Sequence, residues 1–171
     1  MKKLILFATV LLFIQNLQAQ TTLPIPVNIK KAFDKGTRSA DGKPGKNYWQ
    51  NHAVYNIDVN FEPTTRLVKG VVNIDYTNNS NDTLKEIVFK LYPNIYKKGA
   101  ERLMEVLPED VSDGVAIEKL AANDEVLAPR AYRINATNMS VRIKPLLPKQ
   151  TIKFNISYSY TLNKKIAYKN R

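Results

Sequence analysis

Apolar and polar residues alternate with period two along several stretches of this chain, the spacing that sends successive side chains to opposite faces of an extended strand. Tyr55, Ile57, Val59 and Phe61 alternate with Asn56, Asp58 and Asn60, which predicts a strand with one buried and one wet face. Glu62-Pro63-Thr64-Thr65 is a connection of hairpin length. The chain returns with Val68, Gly70, Val72, Ile74 and Tyr76 on one face, and Leu67, Lys69, Val71, Asn73 and Asp75 on the other. Thr77 to Asp82 is a polar turn cluster, and Leu84 to Leu91 is a third strand with Ile87, Phe89 and Leu91 facing in. Three adjacent strands with short connections predict an antiparallel meander.

Beyond Pro93 the pattern weakens. Leu103, Met104 and Leu107 lie near helical spacing, which predicts a short helix within Lys98 to Val106 that Pro108 would end. Short strand candidates follow over Val115 to Leu120, Glu125 to Leu127, Ala131 to Ile134 and Met139 to Ile143. Their recurrence every 8–12 residues or so is that of a sandwich or folded sheet. Leu146 to Gln150 then turns the chain into its cleanest strand, Thr151 to Leu162. There Ile152, Phe154, Ile156, Tyr158 and Tyr160 alternate with Lys153, Asn155, Ser157 and Ser159. The fold class is all-β. No later strand follows to pair with this one before Arg171, so the chain reads as the front part of a longer protein.

The N-terminus does not belong to that pattern. Lys2 and Lys3 precede an apolar run from Leu4 to Ile14, and Ala19 offers a small residue for cleavage. Such a run falls short of the roughly 20 residues a bilayer span needs and matches a secretory signal over residues 1–19. No membrane span is expected once it is removed. Export, to the periplasm or beyond, is the expected localisation. The absence of cysteine rules out both a lipid anchor on that residue and a disulfide-stapled module. Residues 20–46, with Pro24, Pro26, Gly36, Gly42, Pro44 and Gly45, read as an extended lead-in with turns at Gly36-Thr37-Arg38 and Asp41 to Gly45. The ordered β domain is expected from residue 47 to 171, a length that supports one core and not two.

Charge narrows the partners only a little. The chain carries a formal +11, but Lys30, Lys31, Lys97, Lys98, Lys164 and Lys165 are spread over loops and ends with no interleaved aromatics. That predicts a solvated basic surface and no nucleic-acid site.

Candidate chemistry is sparse. One histidine, His52, stands beside Trp49 at the entrance to the first strand and reads as a half-exposed packing residue. A zinc site needs three or four converging His, Cys or carboxylate ligands, and this chain lacks the usual set. Glu101, Glu105, Glu109, Asp110 and Asp113 cluster in sequence, but without the glycine-centred spacing of a calcium loop; they read as a solvated acidic loop. No G-x-S-x-G or phosphate-cradling glycine motif is present. Five N-x-[ST] sequons, at Asn78, Asn81, Asn135, Asn138 and Asn155, mark polar and exposed backbone. Tyr92, Tyr96, Tyr158 and Tyr160 could line a peptide or sugar groove, with packing on the sheet as the commoner role. No catalytic, cofactor-binding or metal residue is assigned.

The phrases GTRSADGKPGKNYWQNHAVYNIDVNF, DYTNNSNDTLKEIVFKLYPNIY and TIKFNISYSYTL resemble exported M1-family metallopeptidases of the Bacteroidetes type. The resemblance runs from about Gly36 to Leu162 and is most specific at Tyr48–Gln50 and Leu91–Asn94. It implies the N-terminal β domain of such a protein, a saddle-shaped antiparallel sheet assembly. Its partner would be the parent's own catalytic domain, and it would meet peptide substrate only through that parent. The family's zinc is held by an H-E-x-x-H helix and a later Glu, with the motif's own Glu activating water. This chain has neither that motif nor G-x-M-E-N, so no catalytic or metal residue carries over, and zinc is expected only in the catalytic domain.

Two functions are therefore in view. The first is a non-catalytic scaffold that packs on a zinc aminopeptidase-like domain and forms one wall of its cleft. The second is a free-standing exported β-sandwich that binds a partner. A scaffold should expose an unpaired apolar patch, expected around Ile152 to Tyr160 and Leu91 to Tyr96, and the isolated chain should tend to self-associate.

Overall fold

The computed structural model describes residues 23–103 and 105–164. The predicted signal over 1–19, Met104 and the end of the chain lie outside them. Contacts divide the chain into one unit ending at Tyr48 and a second beginning at Trp49.

Within the first unit the lead-in is not extended throughout: Val27–Asp34 forms a helix, α1. Pro26 precedes it, where a missing N–H costs the helix nothing. Gly36 ends it in a left-handed conformation, φ 67°. From there Gly36 N–H donates to the Phe33 carbonyl and Thr37 N–H to the Ala32 carbonyl, the paired closure of a Schellman end. The turn signals at 36–38 and 41–45 fall where expected. They close a small loop through an Arg38–Pro44 bridge and an Asp41 carboxylate that accepts from the Ser39 hydroxyl. That hydroxyl first, and Lys43 second, hold the Asp41 pKa below its ordinary value.

The second unit is all-β, with eight strands among the described residues. They are β1 His52–Glu62, β2 Leu67–Thr77, β3 Leu84–Lys90, β4 Ala116–Ala122, β5 Glu125–Val126, β6 Tyr132–Asn135, β7 Asn138–Leu146 and β8 Thr151–Thr161. They form a five-stranded sheet in the order β1-β2-β8-β4-β5 and a three-stranded sheet in the order β3-β7-β6, with every pairing antiparallel. A core of Ile74, Ile87, Leu120, Met139, Val141, Leu146, Ile152, Phe154 and Ile156 joins strands of both sheets. Phe89 and Phe154 meet edge to face across it, 5.0 Å between ring centroids. The architecture is a two-sheet sandwich.

Two sequence expectations change here. The first three strands are not one meander, because β3 leaves the sheet of β1 and β2 and pairs with β7. The last strand is not an edge. β8 lies between β2 and β4, hydrogen-bonded on both sides by earlier strands. Period-two alternation states which way a side chain points but not which strand lies beside it.

The polar cluster after β2 explains the sheet change. Asn78 and Ser80 are buried, not exposed as a glycosylation sequon would be. The Asn78 side-chain oxygen accepts from Ser80 N–H (3.1 Å) and Ser80 Oγ (2.6 Å). Its amide donates to the carbonyls of Asp82 (2.8 Å) and Leu146 (3.1 Å). The Asn78 backbone exchanges two further bonds with the β7–β8 turn, donating to Gln150 O and accepting from Lys149 N–H. The chain crosses between sheets at 78–83 and again at 147–150, and Asn78 ties the two crossings together.

The predicted helix at 98–106 is absent among the described residues. That stretch is flanked by a 3-10 turn before it, Tyr92–Tyr96 with Pro93 in its first turn, and a second after it, Pro108–Asp110. Gly99 turns the chain in a left-handed conformation, and the Arg102 guanidinium folds back onto the carbonyls of Ile95 and Lys97. Leu103 is fully exposed and Leu107 is 42% exposed. With no core for these leucines to face, helical spacing alone did not form a helix.

Candidate functional site

The inner face of the large sheet is built by register. Tyr55, Ile57, Val59 and Phe61 of β1 stand opposite Ile74, Val72, Gly70 and Val68 of β2, which in turn face Phe154, Ile156, Tyr158 and Tyr160 of β8. Twelve positions thus share one face, eleven of them apolar or aromatic side chains. The small sheet covers the half that holds Ile74, Phe154 and Ile156, each 5% exposed or less. It leaves β1 open: Tyr55, Ile57, Val59 and Phe61 are 58, 57, 50 and 48% exposed. The sequence predicted this face of β1 to be buried. It is apolar as predicted, and nothing among the described residues of the second unit covers it.

Between the open face and the end of the small sheet lies a cleft of about 500 Å³, lined among others by Tyr55, Ile57, Phe89, Tyr92, Tyr158 and Tyr160. The strands position these rings. Gly70 lets the Tyr158 ring lie against the backbone of β2; a Cβ there would fall 2.5 Å from the ring. Tyr158 and Tyr160, on the same face of β8, lie nearly parallel with centroids 6.4 Å apart. Of the four tyrosines singled out by sequence, Tyr92, Tyr158 and Tyr160 meet at this cleft; Tyr96 does not line it. The expected apolar patch is found within Leu91 to Tyr96, where Tyr92 and Ile95 are exposed, but not along the last strand as expected: its larger part lies on β1, while Ile152, Phe154 and Ile156 are buried in the core.

Burial first, and the neighbouring Tyr160 second, raise the Tyr158 pKa above the ordinary tyrosine value of about 10. The folded state thus holds its proton longer than the unfolded chain does. The associated stability is complete below about pH 10 and falls as pH rises from there through the raised folded value. In alkaline melts, Tyr158→Phe is expected to lose stability above pH 10 less steeply than the parent. Superimposable slopes would remove this account of Tyr158.

Asn94, the last residue of the Leu91–Asn94 phrase, is also a structural tie. Buried at the first 3-10 turn, it donates through Nδ2 to the Ala136 carbonyl (3.0 Å) and accepts at Oδ1 from Val115 N–H (2.7 Å). It thereby joins the β6–β7 turn to the entry of β4. Gly114 makes the close approach possible, with φ 81° and room for no Cβ beside Asn94.

The remaining sequence candidates do not assemble a chemical site. His52 is exposed at the start of β1, opposite Thr77. Of the acidic cluster, Asp110 is buried and its Oδ1 accepts from the Lys164 backbone N–H, while Glu101, Glu105, Glu109 and Asp113 are exposed. Among the described residues no three His, Cys, Asp or Glu side chains could hold a metal ion together. The donor set present does not fit the zinc that the resemblance implies for the parent. No helix among the described residues is long and apolar enough to cross a membrane.

The fold class is thus an all-β, two-sheet sandwich with an open apolar face. No family model matches the chain, and no curated protein does. Among solved structures, the M1 zinc metallopeptidase from Deinococcus radiodurans is similar at 16% identity over 63% of this chain and 19% of its own, with a TM-score of 0.43. A mutant of that metallopeptidase bound to a Tyr-Ser-Ala substrate is similar at 14% identity over 74% of this chain and 24% of its own, with a TM-score of 0.46. The chain spans less than a quarter of the length of these proteins. At such identities and scores the likeness carries no functional weight.

Proposed function

We propose that this chain is the non-catalytic N-terminal β domain of an exported M1-type zinc metallopeptidase. Its open β1 face would pack on the parent's catalytic domain, and its aromatic cleft would contribute one wall of the peptide site. The observation that carries the reading is the row Tyr55, Ile57, Val59 and Phe61: four large side chains continuous with the core yet about half exposed. A contiguous apolar face of this kind marks a surface that another domain covers. The resemblance of the phrases around Tyr48–Gln50 and Leu91–Asn94 supports the choice of family. On this reading zinc and the water-activating carboxylate belong to the catalytic domain, and this chain supplies neither.

The test compares two proteins: this chain alone, and this chain expressed with its downstream reading frame. The longer form is expected to bind one zinc and to release the N-terminal residue of a short peptide, and the shorter form to do neither. Metal binding or peptidase activity by the shorter form, or a downstream frame without H-E-x-x-H, would defeat the proposal.

A further inference from the structure

The small sheet has a second face, which turns away from the core. Because Ile87, Phe89, Ile134, Met139 and Val141 point inward, their neighbours along each strand point out. Cross-strand register sets Arg133 beside Ser140, Asn135 beside Asn138, and Glu86 beside Arg142. Arg130, from the 3-10 turn Pro129–Ala131, joins them at the rim. The result is a groove of about 390 Å³ with three guanidiniums and a single carboxylate. Among the described residues none of the three arginines has an ion-pair partner, although Glu86 lies opposite Arg142. Lys90 adds charge at one end, where it donates to the Asn138 side chain.

Unpaired guanidiniums on adjacent strands suit an oxyanion, because each presents a planar fork that matches sulfate or carboxylate oxygens. The rest of the lining selects among polyanions. Asn135, Asn138 and Ser140 offer amide and hydroxyl groups suited to sugar hydroxyls. No aromatic residue occupies the outward positions of β3, β6 and β7, and Tyr132, packed against the core, is the one ring in the groove's lining, so a run of nucleic-acid bases would find no row of rings to stack on. Val88 is the one apolar side chain among those outward positions, too little to anchor an acidic peptide. We propose that this groove binds an acidic oligosaccharide through its sulfate or carboxylate groups, on the face of the small sheet opposite the core.

The experiment is calorimetric titration of the chain with a sulfated hexasaccharide and, separately, with an oligouronate of the same length. Single-stranded DNA and an oligoglutamate of equal charge serve as competitors. All three arginines are exposed, so substitution leaves the core intact. Arg133→Gln and Arg142→Gln are each expected to weaken oligosaccharide binding by about tenfold. Arg142→Lys keeps the charge but loses the fork, and is expected to fall between parent and Arg142→Gln. The two oligosaccharide arms show which oxyanion the groove prefers, and tight binding of either one supports the proposal. It is overturned if the Gln variants bind as the parent does, if Arg142→Lys is indistinguishable from the parent, or if DNA or oligoglutamate binds more tightly than both sugars.

Discussion

Replacing Asn78 with alanine is expected to destabilise the sandwich by about 2–4 kcal/mol, enough to lower the melting temperature by roughly 10 °C. The side chain is fully buried and makes four hydrogen bonds, two through each polar atom. Its loss would leave the Leu146 carbonyl and the Ser80 amide short of a partner where water does not reach. Desolvation without a partner costs more than a typical hydrogen bond contributes. Ser80→Ala removes one of those bonds and the one that Ser80 Oγ accepts from Asp82 N–H, but leaves the Asn78 amide in place, so about 1–2 kcal/mol is expected there. Urea or thermal melts of the two variants measure the difference. An Asn78→Ala variant within ~1 kcal/mol of the parent would mean that the 78–82 turn rearranges and that the link between the two crossings is dispensable.

Placing lysine at both Ile57 and Phe61 is expected to leave the isolated chain folded and to abolish its association through the β1 face. These side chains are about half exposed, so each still holds roughly 1 kcal/mol of unused burial energy for a surface that covers it. A charge in the middle of such a contact removes that gain and adds a desolvation penalty. Sedimentation should show the parent chain self-associating as concentration rises, with the double variant monomeric. In the longer form the same pair should lower the yield of correctly docked protein and increase cleavage by a protease between the domains. A parent chain that stays monodisperse at high concentration, or a variant that docks as well as the parent, would count against the β1 face as a contact surface.

The strands were legible in the sequence because period-two alternation is a local signal. β2 and β8 have the inward residues that Val68 to Tyr76 and Ile152 to Tyr160 predict. The hairpin pairing of β1 with β2 was legible from its short connection, but the distant pairings were not, since β2 reaches β8 across most of the second unit and nothing local records that choice. Asn78 misled for a related reason. A polar turn composition says that hydrogen bonds will be made, and here they are made inside the protein. α1 was hidden by the prolines and glycines around it, which proved to be its start and stop signals. The open face was only half visible: alternation along β1 showed that one side was apolar, but not whether this chain covers it. The arginine groove was missed because Arg133 and Arg142 are nine residues apart in sequence and become neighbours only when the β6–β7 hairpin closes.

The central place of β8 bears on the order in which the molecule can assemble. Its partners on β2 lie 74 residues away at the nearest end, Thr77 with Thr151, and its other neighbour, β4, is also an earlier strand. Before β8 is made, the β1–β2 hairpin and the β4–β5 hairpin have nothing between them, and the core lacks Ile152, Phe154 and Ile156. The second unit of a nascent chain would emerge from the ribosome as separate hairpins and condense only when β8 arrives. Contacts this distant in sequence place such a domain among slow folders, on the order of milliseconds to seconds. The interval is one in which the unfinished polypeptide remains threadable.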